Sequence, residues 1–293
     1  MTEIRGKAAV VTGGGSGIGM GLAKELARQG ASVAIADILP DTARAVADEI
    51  NATGGTAVAI ECDVCDRAAI EQMKAEANAA LGTIDLVFAN AGATSFVPVS
   101  ELTDSELDWM TEVNMKGVIW TALTFLPDLV RAGGGHIVAT ASMAGLIPTL
   151  VPIHSAYAAS KMGVIGFMRS MQLEVAEDGV VCTLYCPGGV LNGMRDNNAK
   201  YRPERFGGPR DERMQIPHAS FKDNRLRFYT PDQVAPLVLR AVRNDRPFVF
   251  DHSEQRESFR ELYSEVIEAC FDDVEQWEQE HGISPSTKEP RHA

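Results

Sequence analysis

Long apolar runs are missing from this 293-residue sequence. Their absence excludes a membrane-spanning helix, which needs about 20 consecutive apolar residues. Positive charge is in deficit: 27 Lys and Arg against 40 Asp and Glu leave a formal charge of −13. That balance argues against nucleic acid or an anionic membrane as the main partner. Cysteine is scarce, with five residues, and they form no disulfide framework in a chain this size. A reducing, cytoplasmic setting is expected. Cys62 and Cys65 have redox or metal spacing, but no second Cys or His pair lies near them, so no metal is expected. Residues 1–7 are charged and run straight into a strand pattern, with no signal-peptide signature. What remains is an ordinary globular balance, 45% hydrophobic and 23% charged, on a chain long enough for one large α/β domain.

Short apolar strand patterns alternate with helical ones. Residues 7–12, 32–37, 56–62, 84–89, 136–142 and 180–186 read as buried strands. Residues 20–29, 41–53, 66–81, 104–131 and 156–177 read as helices between them, and 230–244 as a helix before a last strand at 248–251. This alternation dictates right-handed crossovers. It predicts a Rossmann-like α/β fold: a doubly wound, parallel, seven-stranded sheet with helices on both faces. Ligands of such sheets sit outside the carboxyl ends of the strands. Asp37, Asp63, Asn90, Ser142 and Pro187 all fall there.

The first strand runs into Thr12-Gly13-Gly14-Gly15-Ser16-Gly17-Ile18-Gly19 and then a helix. Glycines let the backbone approach a pyrophosphate, and the helix start offers free N–H groups and a positive dipole end. The next strand closes on an acid, Asp37, twenty residues after Gly17. A carboxylate there bonds both ribose hydroxyls and repels a 2′-phosphate. No Arg or Lys lies in the loop or just after Asp37 to offset it, so NAD rather than NADP is the expected cofactor.

Tyr157 and Lys161, in Ser155-Ala156-Tyr157-Ala158-Ala159-Ser160-Lys161, share a helix face at i, i+4, with Ser155 read as the N-cap. A phenol titrates near 10, and a neighbouring cation favours the phenolate. Bringing it to neutrality takes roughly 4 kcal/mol, a load for Lys161 and a cationic cofactor ring together. Ser142 is a neutral donor suited to a developing alkoxide. Taken singly these residues are a surface pair, a strand-end cap and a polar helix residue; jointly they make a base, its orienter and a donor.

Thr12-Gly-x-x-x-Gly-x-Gly19, Asn90-Ala91-Gly92, Asn114, Ser142 and Tyr157-x-x-x-Lys161, in this order, resemble the short-chain dehydrogenases/reductases over about residues 5–251. The resemblance implies Tyr157 as catalytic acid/base, with Lys161 lowering its pKa and holding the nicotinamide ribose. It implies Ser142 on the substrate oxygen and Asn114 anchoring a water-linked proton relay. It also implies cofactor contacts from Gly13, Ser16, Gly17, Ile18, Gly19, Asp37, Asp63, Val64, Asn90, Ala91, Gly92, Pro187, Gly188, Val190 and Asn192. Asn192 departs from the family's threonine. Fifteen positions separate Ser142 from Tyr157, about two more than the family pattern, and the extra residues fall in 146–154. His154 there is read as a solvent-facing loop histidine.

Residues 192–228 lack periodicity and resemble the family's substrate lid. Met194, Tyr201, Phe206, Met214, Phe221 and Phe228 would suit a bulky substrate. Its basic residues, from Arg202 and Arg205 through Arg210, Arg213, Lys222 and Arg225 to Arg227, are interleaved with Asp196, Glu204, Asp211, Glu212 and Asp223 and read as a solvated face. One domain over 1–251 is expected, then an amphipathic helical extension over 252–282 and a disordered tail over 283–293. Ten acids against two arginines on the extension line one face, and an apolar stripe from Phe259 to Val274 lines the other. That stripe is expected to be buried on the domain or in a homodimer or homotetramer.

Asp108-Trp109, Val113-Asn114, Gly117-Val118-Ile119, Gly135-His136-Ile137-Val138 and Phe248-Val249-Phe250 resemble one branch of the family. It includes the bacterial Cα-dehydrogenases that oxidise benzylic alcohols of lignin-type aryl ethers with NAD. The expected reaction is therefore interconversion of a bulky or aromatic secondary alcohol and its ketone. A hydroxysteroid or broad-range alcohol dehydrogenase is the alternative, and a non-catalytic NAD-sensing regulator on the same fold is a third reading.

Overall fold

Seven short runs rich in Val, Ile and Ala form the sheet because both of its faces are covered by helices, which demands apolar residues at consecutive positions. The computed structural model describes residues 1–194, 201–209 and 227–283. The strands are β1 (Ala8–Thr12), β2 (Ser32–Asp37), β3 (Thr56–Glu61), β4 (Leu86–Ala89), β5 (Gly135–Thr140), β6 (Val180–Cys186) and β7 (Phe248–Phe250). Their order is β3-β2-β1-β4-β5-β6-β7, every neighbouring pair parallel. The order reverses direction between β1 and β4, which opens the ligand crevice at their carboxyl ends.

The crossovers are α1 (Gly17–Arg28), α2 (Pro40–Ala52), α3 (Arg67–Leu81), α4 (Asp104–Thr111) continued as α5 (Gly117–Arg131), a short α6 (Met143–Leu146), α7 (Ser155–Val175) and α8 (Pro231–Arg243). Apolar residues four apart seat α1 on the sheet: Ile18, Leu22 and Leu26 are buried. Gly21 lets α8 approach, since a Cβ there would lie 2.7 Å from Pro231 Cβ.

Boundaries differ from the sequence reading where polar groups intervene. Residues 84–85 stay outside β4 because the Asp85 carboxylate turns back to accept from the Ala8 N–H at 2.9 Å and from Lys7 Nζ at 2.7 Å. Ser155 is the first helical residue of α7, and His154, not Ser155, occupies the N-cap, without a side-chain capping bond. The long helix expected over 104–131 carries a π turn at Glu112–Lys116, with Asn114 inside it. Such turns mark functional sites more often than chance.

Residues 1–252 form one compact unit and the remainder a second. The second contains α9 (Gln255–Phe259), a π turn at Arg260–Ser264 and α10 (Glu265–Glu280). No residue of α10 is buried. Leu262, Val266, Phe271 and Val274 of the stripe stand exposed, as does Trp277. The tail expected to be disordered lies, from residue 284 onward, outside the described residues. Among the described residues no helix is long and apolar enough to cross a membrane, and no group of His, Cys, Asp or Glu could hold a metal.

Candidate active site

The loop after β1 is built for close approach. Gly17 has φ +50°, and a Cβ on it would meet the Asn192 carbonyl oxygen at 2.8 Å; one on Gly19 would lie 2.0 Å from the Gly13 oxygen. Ser16 is the N-cap of α1 yet makes no capping bond with its side chain, so its hydroxyl and the first N–H groups of the helix are free for an anion. At the end of β2 the Asp37 carboxylate accepts from the N–H of Gly15 at 2.9 Å and of Leu39 at 3.1 Å. Burial pushes its pKa up, against those backbone donors that draw it down. Helix-end donors followed by a carboxylate on the neighbouring strand suit the pyrophosphate and ribose diol of a nicotinamide dinucleotide.

Asn90, at the end of β4, ties this loop to the catalytic end of the sheet. Its Nδ2 donates to the carbonyl of Thr12 at 3.1 Å and its Oδ1 accepts from Thr140 Oγ1 at 2.9 Å. The N–H groups of Asn90 and Ala91 both donate to Thr12 Oγ1. The carbonyl of Thr140 in turn accepts from Lys161 Nζ at 2.8 Å. Gly92 sits over the result, where a Cβ would lie 3.2 Å from Asn114 Oδ1 and 3.4 Å from Lys161 Nζ.

Ser142, Tyr157 and Lys161 come together as the sequence predicts. The Ser142 hydroxyl caps α6 by accepting from the Ala144 N–H at 3.1 Å and stands close enough to the Tyr157 phenol to draw its pKa down. Burial outweighs that pull and pushes the phenol up to about 12. Burial also pulls the Lys161 ammonium down to about 8. Nζ lies 5.8 Å from the centre of the Tyr157 ring, spent partly on Thr140. Forming a phenolate near neutral pH would therefore ask more of a bound cofactor's positive charge than an exposed phenol asks. Asn114 is fully buried; Oδ1 accepts from the Ala93 N–H at 2.8 Å and Nδ2 donates to Ser160 Oγ at 3.3 Å.

Other predicted positions are brought near for structural reasons. Asp63 accepts from the Cys65 N–H at 2.9 Å and from Arg205 Nη2 at 2.7 Å. Val64 packs on Gly117, where a Cβ would meet its Cγ2 at 2.8 Å. The Pro187 carbonyl accepts from the Met143 N–H at 3.0 Å and the Gly188 N–H donates to Asp251 at 2.9 Å. Val190 bridges to Tyr229. Asn192 covers Gly17 and accepts from the Met194 N–H at 3.0 Å. Cys62 and Cys65 are free thiols.

Two readings are overturned. His154 is not solvent-facing: it is 7% exposed and stacked between Phe96 and Tyr157. Arg202 is not on a solvated face: it is 2% exposed, ion-paired with Glu106, bonded to Ser105 Oγ at 3.1 Å and laid over the Trp109 ring at 4.9 Å. Burial of both depends on loops folding back on α4 and α7, which local composition does not report. Asp251 was also missed as a brace of the β6 end; it accepts from Tyr185 Oη at 2.7 Å besides Gly188. Of the remaining lid residues, Met214, Phe221, Arg210, Arg213, Lys222, Arg225, Asp196, Asp211, Glu212 and Asp223 lie outside the described residues.

The short chain dehydrogenase family model matches residues 7–202. The chain belongs to that family of oxidoreductases. Its relatives include the oxidoreductase UcpA of Salmonella typhimurium, 32% identical over 68% of this chain and 75% of that protein. They include as well the C alpha-dehydrogenase of Sphingobium sp., 26% identical over 92% of this chain and 88% of that one. The crystal structure of a short chain dehydrogenase/reductase from Burkholderia phymatum in complex with NAD superposes with TM-score 0.83 at 29% identity, covering 92% and 97% of the two chains.

Proposed function

We propose that this protein is an NAD-dependent dehydrogenase interconverting a secondary alcohol and its ketone. The observation that carries the reading is the buried Tyr157 phenol, with Ser142 close enough to lower its pKa and Lys161 Nζ 5.8 Å from the centre of its ring. In oxidation, Tyr157 takes the hydroxyl proton of the substrate, and in reduction it returns the proton. Ser142 steadies the alkoxide as charge develops. Lys161 keeps two N–H bonds beyond the one to Thr140 for the ribose hydroxyls. When bound, the nicotinamide supplies the two-electron acceptor or donor. The side chain of Asn114 is committed to Ala93 and Ser160, so the proton relay expected at this residue falls to its backbone in the π turn.

Asp37 supports NAD over NADP, and the NAD complex of the Burkholderia phymatum protein agrees with it. For the substrate we favour a bulky or aromatic secondary alcohol, a benzylic Cα alcohol foremost. The match to a C alpha-dehydrogenase along nearly the whole chain supports this. The test is a panel of benzylic, steroid and short alkyl secondary alcohols with NAD, read by NADH formation, beside calorimetric NAD binding. Benzylic alcohols are expected to turn over at least tenfold more efficiently than the others. A preference for steroid or alkyl alcohols overturns the substrate class. Tight NAD binding without any turnover overturns the dehydrogenase reading in favour of a cofactor sensor.

A further inference from the structure

We propose that His154 is a positioning residue for Tyr157, a neutral imidazole clamp that fixes the plane of the catalytic phenol; the proposal rests on the reading of Tyr157 as the acid/base. The imidazole lies face to face with the phenol, ring centres 4.1 Å apart and planes 3° from parallel. Phe96 covers its other face at 4.2 Å and 11°. The three rings form one stack whose innermost member is the proposed base. Thr94 Oγ1 meets Nε2 at 2.9 Å and holds the imidazole in its own plane. Nδ1 is buried and has no hydrogen-bond partner. An imidazolium carries a donor on each nitrogen, and the one at Nδ1 would meet no acceptor, so this stack takes the neutral ring. Burial agrees, drawing its pKa down to about 3.

The ring plane matters because the phenol oxygen is conjugated with its ring. Its O–H bond and its in-plane lone pair both lie in that plane, so tipping the ring turns them away from Ser142 and from a reacting oxygen. The torsion that sets the plane is intrinsically broad, and contact with a parallel neighbour narrows it. The backbone supports the same purpose. Ile153, immediately before His154, has φ +51°, a strained conformation for a β-branched residue and one that clusters at functional sites. That turn aims His154 onto the stack.

The test compares His154→Phe, which keeps the stack and removes the nitrogens, with His154→Ala, which removes the stack. On the best alcohol of the panel, His154→Phe is expected to stay within about threefold of the wild-type kcat. His154→Ala is expected to lose at least tenfold in kcat, within the range that misplaced catalytic groups cost, with KM and NAD affinity unchanged. The second readout needs no turnover: NMR of ring-labelled tyrosine, with Tyr157 assigned by its loss in Tyr157→Phe. Wild type and His154→Phe should show two resolved resonances for the paired ring positions, the sign of slow flipping; His154→Ala should show one averaged line. Should His154→Ala not fold, Phe96→Leu loosens the stack from outside and is expected to speed flipping and lower kcat. Equal loss in the Phe and Ala variants, mainly in KM, would assign Nδ1 to substrate and overturn the clamp. Unchanged flipping in the Ala variant, or in Phe96→Leu, overturns it as well. A wild type that turns over nothing while the stack still restrains Tyr157 refutes the dehydrogenase reading alone.

Discussion

The guanidinium of Arg202 and the carboxylate of Glu106 form an ion pair in which both side chains are almost wholly buried, 96 positions apart in sequence. Phe206 completes the joint: its carbonyl accepts from Ser105 Oγ at 2.6 Å and from Arg202 Nε at 2.5 Å. The segment 201–208 is thereby pinned to α4. Removing one partner of such a pair leaves a buried charge, which costs about 3–5 kcal/mol. Glu106→Gln and Arg202→Met should each lower the urea midpoint strongly, and the double variant should recover part of the loss. A double variant as weak as the sum of the two singles would contradict the pairing.

Tyr157→Phe is expected to lower kcat by about 10²–10⁴ while leaving NAD affinity nearly intact, because only the proton acceptor is removed. Steady-state rates with calorimetry on the same preparation check both halves. Activity above about a hundredth of wild type points to another base.

NAD should bind at least tenfold more tightly than NADP, since Asp37 would face the 2′-phosphate. Asp37→Asn removes the negative charge, keeps one of the two oxygens that accept from Gly15 and Leu39, and should narrow the gap. Competitive calorimetry with both cofactors measures it, and equal affinity in the wild type sinks the assignment.

Burial holds His136 down at about 4 and His154 at about 3, against 6.5 for a free histidine. Below pH 6.5 the unfolded chain therefore binds protons that the fold refuses, and stability declines as pH falls toward those depressed values. Each histidine contributes at most about 1.4 kcal/mol per pH unit in that window. Urea melts between pH 7 and 5 should show the decline, and His154→Phe should roughly halve it. A flat profile would mean the rings are protonated in the fold.

The apolar stripe of α10 leads us to propose that the C-terminal helix is a subunit contact in a homodimer or homotetramer, because roughly 600–1,000 Å² of bare apolar surface is unusual on a monomer. The cut belongs after His252, which is buried and bonded to Asp251 and to the Arg227 carbonyl. Light scattering should then show a smaller species. Loss of activity at constant mass would make the helix a wall of the site instead; no change in mass, stability or activity refutes both.

Strands and helices were legible because their periodicity is local: Ser32–Asp37 and Val180–Cys186 fall where the apolar runs do. The candidate catalytic group was legible because Tyr157 and Lys161 are one helical turn apart and the strand ends collect the rest. His154 and Arg202 were not. A loop histidine or an arginine among acids reads as solvated unless its distant cover is known, and the cover for Arg202 comes from α4. The π turn was hidden because Glu112–Lys116 holds no glycine or proline to interrupt the helical pattern.

The links from the Thr12 carbonyl through Asn90 and Thr140 to Lys161 join the two halves of the crevice before any ligand arrives. Their geometry is set when the chain folds, and the entropy of arranging it is charged to folding rather than to binding. A dinucleotide seated on the glycine loop would meet an ammonium whose place the fold has already set.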